Sequence, residues 1–573
     1  MPFTLQPMIQ GHRHMVSAGH YLATEAGIRM LEAGGNAIDA GVAAGIALGV
    51  VHSDQVQFSG VAPILIYLAE RGEVVSIAGL GPWPAATQPD VFLRQHGGHI
   101  PLGLLRTVVP AAPDAWITAL SRYGTMSFAE VAAPAIKYAR EGFAVHPVMA
   151  HFIDVYQEQY RLFPDNAAIW LRDGKPPKVG DLLVLSDLAR SIQYMADQET
   201  AARAKGGRAA GLEAARLAFY RGDIGQAIAK FHAQHEGWLT EHDLAAYRSP
   251  VEKPLSVDFH GHTVYSCGPW CQGPVLLQML RLLDGIDLKD LGGHNSASYL
   301  HTLAEAMKLA FADRERFYGD PDHVPVPMDR LLSPDYAAVR RSQIDPARAW
   351  PDMAPAGDIP GFGGEPFVPM PAAGASQLHP DTSYCSVVDA KGNVWSATPS
   401  DVSFESPVIP GLGFVPSARG AQSFAKVGHA SAPAPGKRPR LTPNPAMVIT
   451  PGKLAMPFGA PGGDTQAQGM LQVLLNHVVW GMNIQEAIEA PRAVTHSYPM
   501  TFEPHTYHPG RLSVEGRIPA DVRDDLSSRG HQIEVLDDLS IDVAGVCAIS
   551  ADLQTGLLSG GADPRRAARA MGF

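Results

Sequence analysis

Apolar positions along the chain follow two spacings, and each predicts its own kind of element. In residues 21–32, 111–120, 127–141 and 304–314 the spacing is helical, and amphipathic helices are expected there. Residues 15–17, 61–67, 74–78, 386–388 and 394–397 are short alternating or continuous apolar runs, and strands are expected. The runs at 61–67 and 74–78 flank Arg71-Gly72 and predict a hairpin. Those at 386–388 and 394–397 flank Asp389-Ala390-Lys391-Gly392-Asn393, where Gly and Asn are free to take positive φ, and predict a second. Gly34-Gly35 should end the first helix. Ser127 with Glu130 three residues on reads as a capping box. Residues 37–51 are small or apolar on all sides, so a buried helix lying close to a sheet or another helix is expected. Two further apolar helices are expected at 275–283 and 470–479. The elements mix α and β.

Composition narrows the class. The chain has 573 residues, 46% hydrophobic and 18% charged, enough for one large layered unit or several average domains. The net charge of −12 comes without a basic stripe, so no nucleic-acid partner is expected. Four cysteines are too few for a disulfide framework, and Cys267-x3-Cys271 lacks the Cys/His companions of a zinc site. No apolar run is long enough to span a membrane. Residues 1–7 lack a basic segment followed by an apolar one, so no secretory signal and a cytoplasmic location are expected.

Candidate chemistry centres on Asp381-Thr382-Ser383-Tyr384-Cys385-Ser386-Val387-Val388-Asp389. Thr382 stands just before a predicted strand, at the end of a Pro/Gly/Ala-rich tract over about 354–380 that is expected to be flexible. A threonine hydroxyl becomes a nucleophile when a base is in reach, and its own α-amine serves if the preceding peptide bond is cut. Read from these residues alone, Thr382 is most simply a strand former.

This stretch resembles the cleavage-site signature of the gamma-glutamyltranspeptidase family, N-terminal-nucleophile hydrolases. So do Gly35-Asn36-Ala37-Ile38-Asp39-Ala40, Tyr123-Gly124-Thr125-Met126, Ala304-Glu305-Ala306-Met307-Lys308, Ala460-Pro461-Gly462-Gly463-Asp464 and Ala562-Asp563-Pro564-Arg565, in family order. The resemblance spans about residues 15–570. It implies an α+β fold, a four-layer αββα sandwich. It implies self-cleavage between Asp381 and Thr382, giving a large subunit (1–381) and a small one (382–573), with a homodimer of such pairs allowed. By resemblance Thr382 is nucleophile and base, Gly462 and Gly463 offer oxyanion N–H groups, and Ser400 matches a threonine bonded to the nucleophile's region. Without the resemblance, the glycines read as a turn or anion site before a helix, Ser400 as a turn residue, and Asp464 as a helix cap. No metal or cofactor is implied.

Several pocket positions depart from the family. Its carboxylate-binding arginine falls on Leu80, which cannot pair with a carboxylate. Its amine-binding glutamine and aspartate fall on Arg419 and Gln422, and its paired serines on Leu441 and Thr442. Its asparagine falls on Val402, or on Asp401 if one gap is allowed. Ser383, Tyr384 and Cys385 replace other residues at positions expected to line the site. An intact hydrolytic apparatus beside a rewritten γ-glutamyl pocket implies an amidohydrolase whose small-molecule acyl donor carries a carboxylate, held by Arg419, as amidohydrolase and acylase members of the family suggest. On that reading Arg419→Ala raises KM for an acidic amide and leaves self-cleavage untouched. The alternatives are a genuine γ-glutamyl hydrolase or transferase, and an uncleaved paralogue that only binds a ligand.

Overall fold

The computed structural model describes residues 4–365 and 381–573. Residues 354–365 contain no helix or strand, and the remainder of the tract expected to be flexible lies outside the described residues.

Helix Tyr21–Glu32 starts where His20 accepts the Leu22 N–H, and ends before Gly34, which has φ +93°. Helix Ala37–Val51 follows at once, capped by Asn36 and Asp39 in a reciprocal capping box, and every one of its residues is buried. Its small residues have a geometric cause. A Cβ on Gly41 would lie 2.3 Å from the Trp395 ring, and one on Gly45 would lie 2.6 Å from Trp116. Glycine therefore lets this helix rest directly on strand Val394–Ala397, the second strand of the hairpin that follows Thr382. The capping box predicted at Ser127 and Glu130 opens helix Phe128–Glu141. The run predicted at 304–314 is the middle of a longer helix, Ala297–Phe317.

Two seven-stranded sheets dominate. One runs Arg569–Gly572, Met15–Ala18, Cys385–Val388, Val394–Ala397, Ile64–Leu68, Glu73–Ile77, Val251–Glu252. The other runs Ile9–Gly11, Leu558–Gly561, Cys547–Asp552, Leu454–Gly459, Ala446–Thr450, His262–Ser266, Leu255–Phe259. Every pairing within them is antiparallel. Each interleaves strands from both sides of Thr382, so the two sides share one core. An apolar cluster joins Met15, Leu65, Val388 and Val394 of the first sheet to Met447, Ala455 and Ile549 of the second. Two larger clusters hold the helices: one includes Ala37–Val51, the other Gly273–Leu283, Ala297–Phe317 and Gln466–Val478. The fold is mixed α and β with antiparallel sheets. Among the described residues no helix is long and apolar enough to cross a membrane.

Candidate active site

Thr382 lies directly before strand Cys385–Val388, and its side chain is fully buried. Its N–H donates to the Gln55 carbonyl at 3.2 Å, which also accepts the Asp401 N–H at 3.1 Å. Gln55 sits in the loop after helix Ala37–Val51, so the small-residue helix and the hairpin together set where Thr382 stands. Its φ is +76°, in a region that a β-branched residue rarely occupies. Such a conformation costs on the order of 1–3 kcal/mol and persists only where its surroundings impose it.

Polar side chains converge on the junction. Thr382 Oγ1 is 2.7 Å from Ser400 Oγ. Ser400 Oγ and Arg419 Nη2 both bond Asp381 Oδ1, and Arg419 Nη2 also donates to Ser400 Oγ. Thr442 Oγ1 donates to Asp381 Oδ2 at 3.0 Å. Gln422 holds Thr442 from two sides, donating to its hydroxyl at 3.0 Å and accepting its N–H at 3.2 Å. The direction of the bonds follows from chemistry. A guanidinium only donates and a carboxylate only accepts, so the Ser400 proton goes to Asp381 and its oxygen accepts from Thr382. A chain Thr382–Ser400–Asp381 results.

Burial pushes the Asp381 carboxyl up, but the charge and hydrogen bonds of Arg419, with those of Ser400 and Thr382, outweigh it and hold it below the ordinary range. Asp401 takes the opposite balance: burial raises it to about 6, against Arg419 and the bonds from Ser417 and Ala418. It accepts the Ser417 hydroxyl at 2.6 Å and lies 3.6 Å from Arg419 Nε. The ungapped alternative, Val402, is instead part of the apolar core.

The glycine loop comes from the other sheet. Strand Leu454–Gly459 leads through Pro461 into Gly462 (φ +129°) and Gly463 (φ +54°), then a short turn and helix Gln466–Val478. Among the described residues neither glycine N–H donates to a protein acceptor. Gln466, at the start of that helix, brings its amide to 3.3 Å of Thr382 Oγ1, so the loop ends against the Thr382 hydroxyl. Its NH2 donates to Thr382 Oγ1, whose own proton goes to Ser400, and its oxygen accepts the Asn444 amide at 3.3 Å. A small cavity beside the junction is lined by Thr382, Ser383, Pro461, His52, His146 and Arg566. Burial, reinforced by neighbouring positive charge, lowers both imidazoles, His146 to about 4.

Some expected residues lie elsewhere. Asp464 is no cap: it pairs with Arg314 and accepts the Thr501 N–H at 2.7 Å. Arg314, at the end of the amphipathic run predicted at 304–314, is fully buried and bonds Asp464, Glu315 and Gln272, while Gln272 donates to the Gly463 carbonyl at 2.8 Å. This set anchors the glycine loop. Its partners lie far apart in sequence, so no local pattern signals it. Tyr384 does not reach the polar cluster. Its hydroxyl is 2.8 Å from Ser396 Oγ and its ring packs against Gly459, where a Cβ would lie 2.3 Å away. Cys385 is buried with its thiol toward the Gly41 carbonyl; Ser383 does line the cavity, 3.1 Å from His52 Nδ1. Leu80 sits in the apolar cluster with Trp270 and Leu441 and edges a separate cavity with Trp83 and Tyr247. Arg419 cannot be indifferent to the precursor's own chemistry, because it grips Asp381 and Ser400 before any cleavage. The expectation that its loss spares self-cleavage did not include that contact.

His301, Glu305 and His531 lie close together, but the atoms that face one another are bonded within the protein, His531 Nδ1 alone being without a partner. Glu305 binds Lys308 at 2.7 Å and the Trp350 N–H at 3.0 Å, and His301 lies between His531 (2.9 Å) and the Asp345 carbonyl (2.8 Å). The four cysteines are free and buried.

Comparison with known proteins gives concordant matches. The gamma-glutamyltranspeptidase family profile matches residues 23–573. The glutathione hydrolase-like YwrD proenzyme of Bacillus subtilis is 32% identical, over 98% of this chain and 99% of its own. The acylase ACY 1 proenzyme of Pseudomonas sp. is 33% identical, over 91% of this chain and 88% of its own. The crystal structure of cephalosporin acylase from Bacillus halodurans is 28% identical, with a TM-score of 0.85 over 100% of this chain and 98% of its own.

Proposed function

The chain belongs to the gamma-glutamyltranspeptidase family, and from that premise we propose that it is a self-processing amidohydrolase with Thr382 as nucleophile and a carboxylate-bearing acyl donor. The observation that carries the reading is the convergence of Ser400, Arg419 and Thr442 on the Asp381 carboxylate, one residue from a strained and buried Thr382. Self-cleavage begins when the Thr382 hydroxyl passes its proton toward Ser400 and Asp381 and its oxygen attacks the Asp381 carbonyl carbon. The C–N bond breaks, the nitrogen is protonated, and water opens the resulting ester. Thr382 then carries a free α-amine, whose pKa of roughly 7.7–8.0 leaves part of it neutral near pH 7 to act as base. In turnover the same oxygen takes the donor's acyl group and releases an amine.

Gly462 and Gly463 offer their unpartnered N–H groups to the oxyanion. A Cβ on Gly462 would lie 2.8 Å from Thr465 Oγ1 and 3.0 Å from Ala544 Cα, at a φ unsuited to a side chain. Gly462→Ala should therefore displace a donor and lower kcat by about 10²–10³-fold; an effect confined to KM in steady-state kinetics would contradict the role. Ser400→Ala removes the middle of the proton chain and should slow self-cleavage by about 10²-fold or more, read as the half-life of the full-length band on denaturing gels.

Arg419 favours an anionic donor, since a guanidinium attracts carboxylate and repels ammonium. Two helix-bearing apolar clusters and a third between the sheets support a four-layer αββα arrangement, and interleaved strands support two subunits held by a shared core after cleavage. The test is the purified protein's hydrolysis of anionic-acyl anilides against γ-glutamyl-4-nitroanilide. Faster turnover of the γ-glutamyl compound would contradict the assignment of the donor.

A further inference from the structure

The chain carries its own acyl group in the site. In self-cleavage the carbonyl attacked by Thr382 belongs to Asp381, so Asp381 stands where the acyl donor stands in turnover. Its side chain runs from that carbonyl into the grip of Arg419, Ser400 and Thr442. Between the attacked carbonyl carbon and the captured carboxylate carbon lie two carbons, Cα and Cβ. On the proposed mechanism the same Thr382 oxygen attacks in both reactions, so the reacting carbonyl carbon takes the same place relative to it. The carboxylate position is common as well, because the groups that hold it are rigidly set. Arg419 is buried beside Asp401, and Thr442 is locked by Gln422. The distance between the two positions is a ruler.

We propose that the mature enzyme's acyl donor is the monoamide of a four-carbon dicarboxylic acid, a succinyl-type amide with its carboxylate two carbons beyond the reacting carbonyl. This rests on the reading above that Thr382 attacks both carbonyls. An oxalyl group places its carboxylate on the carbonyl carbon itself and falls short of Arg419. A glutaryl group overreaches by one methylene into a buried, filled site. A γ-glutamyl group overreaches likewise and brings an α-ammonium beside Arg419. The nearby carboxylate, Asp401, is already taken by Ser417 and the Ala418 N–H. In the reaction the Thr382 oxygen bonds to the acyl carbon and the C–N bond breaks. The proton from the hydroxyl passes through the α-amine to the leaving amine. Water then splits the ester, restoring Thr382 and releasing the diacid.

The experiment measures kcat/KM of the mature enzyme on oxalyl, malonyl, succinyl, glutaryl and γ-glutamyl 4-nitroanilides. The succinyl compound should lead its one-methylene neighbours by at least about tenfold, the usual scale for one methylene in a shaped pocket. A malonyl, glutaryl or oxalyl optimum would overturn the ruler while leaving the anionic donor standing. A γ-glutamyl optimum, or no hydrolysis of any anionic anilide, would overturn both. A second readout uses the precursor alone: Asp381→Glu lengthens the internal acyl group by one methylene and should slow self-cleavage by about tenfold, whereas an unchanged rate would overturn the proposal.

Discussion

Thr382→Ala is expected to leave the protein as one 61.2 kDa chain with amide hydrolysis reduced by about 10⁴-fold or more, the scale seen when a covalent nucleophile is removed. On the proposed mechanism two functions are lost together, because one oxygen attacks the Asp381 carbonyl in the precursor and the donor carbonyl afterwards. The variant should still fold. Thr382 Oγ1 bonds side chains of the polar cluster, Ser400 and Gln466 among them, and the surrounding sheet does not depend on those bonds. Backbone strain offers a control. At φ +76° glycine is unstrained and alanine is not, so Thr382→Gly should be equally uncleaved yet more stable than Thr382→Ala by about 1 kcal/mol. Equal denaturation midpoints for the two would show that the conformation is not imposed. Residual cleavage at 381–382 in either variant would remove Thr382 from the mechanism.

Arg419→Ala has the second large expected effect, and it appears in two different ways before and after cleavage. In the uncleaved chain Arg419 lies between Asp381 and Asp401, all three at most 2% exposed. Removing it strands two buried carboxylates and should destabilise the Thr382→Ala precursor by about 3–5 kcal/mol. Self-cleavage of the otherwise wild-type chain should slow in parallel, since Ser400 loses the donor that orients it. In the mature enzyme, on the proposed reading, Arg419 meets the acyl carboxylate instead. The KM for an anionic anilide should then rise by about 30-fold or more, from a loss of at least roughly 2 kcal/mol, while a neutral acyl anilide is little affected. Arg419→Lys keeps the charge without the planar fork and should fall between. Equal losses on anionic and neutral donors would place Arg419 in the scaffold alone.

How much of this could be read from the chain depended on the range of the interactions. Helices at 21–32 and 37–51 and the capping box at Ser127 were legible because caps and small-residue faces are local. The hairpin after Thr382 was legible for the same reason. The grip of Arg419 on Asp381 was not, since it joins residues 38 apart through a fold that only the sheets create. Asp464 misled because an acidic residue at a helix start usually caps it, whereas here Arg314, 150 residues away, claims the carboxylate. Tyr384 misled because strand alternation does not say which neighbour fills the space, and Gly459 leaves room for its ring beneath the second sheet. The choice between Asp401 and Val402 rested on a one-residue register that the sequence leaves open; in the fold Val402 lies in the apolar core and Asp401 lies beside Arg419.

Intact-mass analysis of the freshly purified wild-type protein, with N-terminal sequencing, tests the central claim most directly. The account predicts two tightly associated polypeptides, one ending at Asp381 and the other beginning with a free Thr382. A single species of 61.2 kDa that persists on prolonged incubation, or a cut at any other bond, would contradict it.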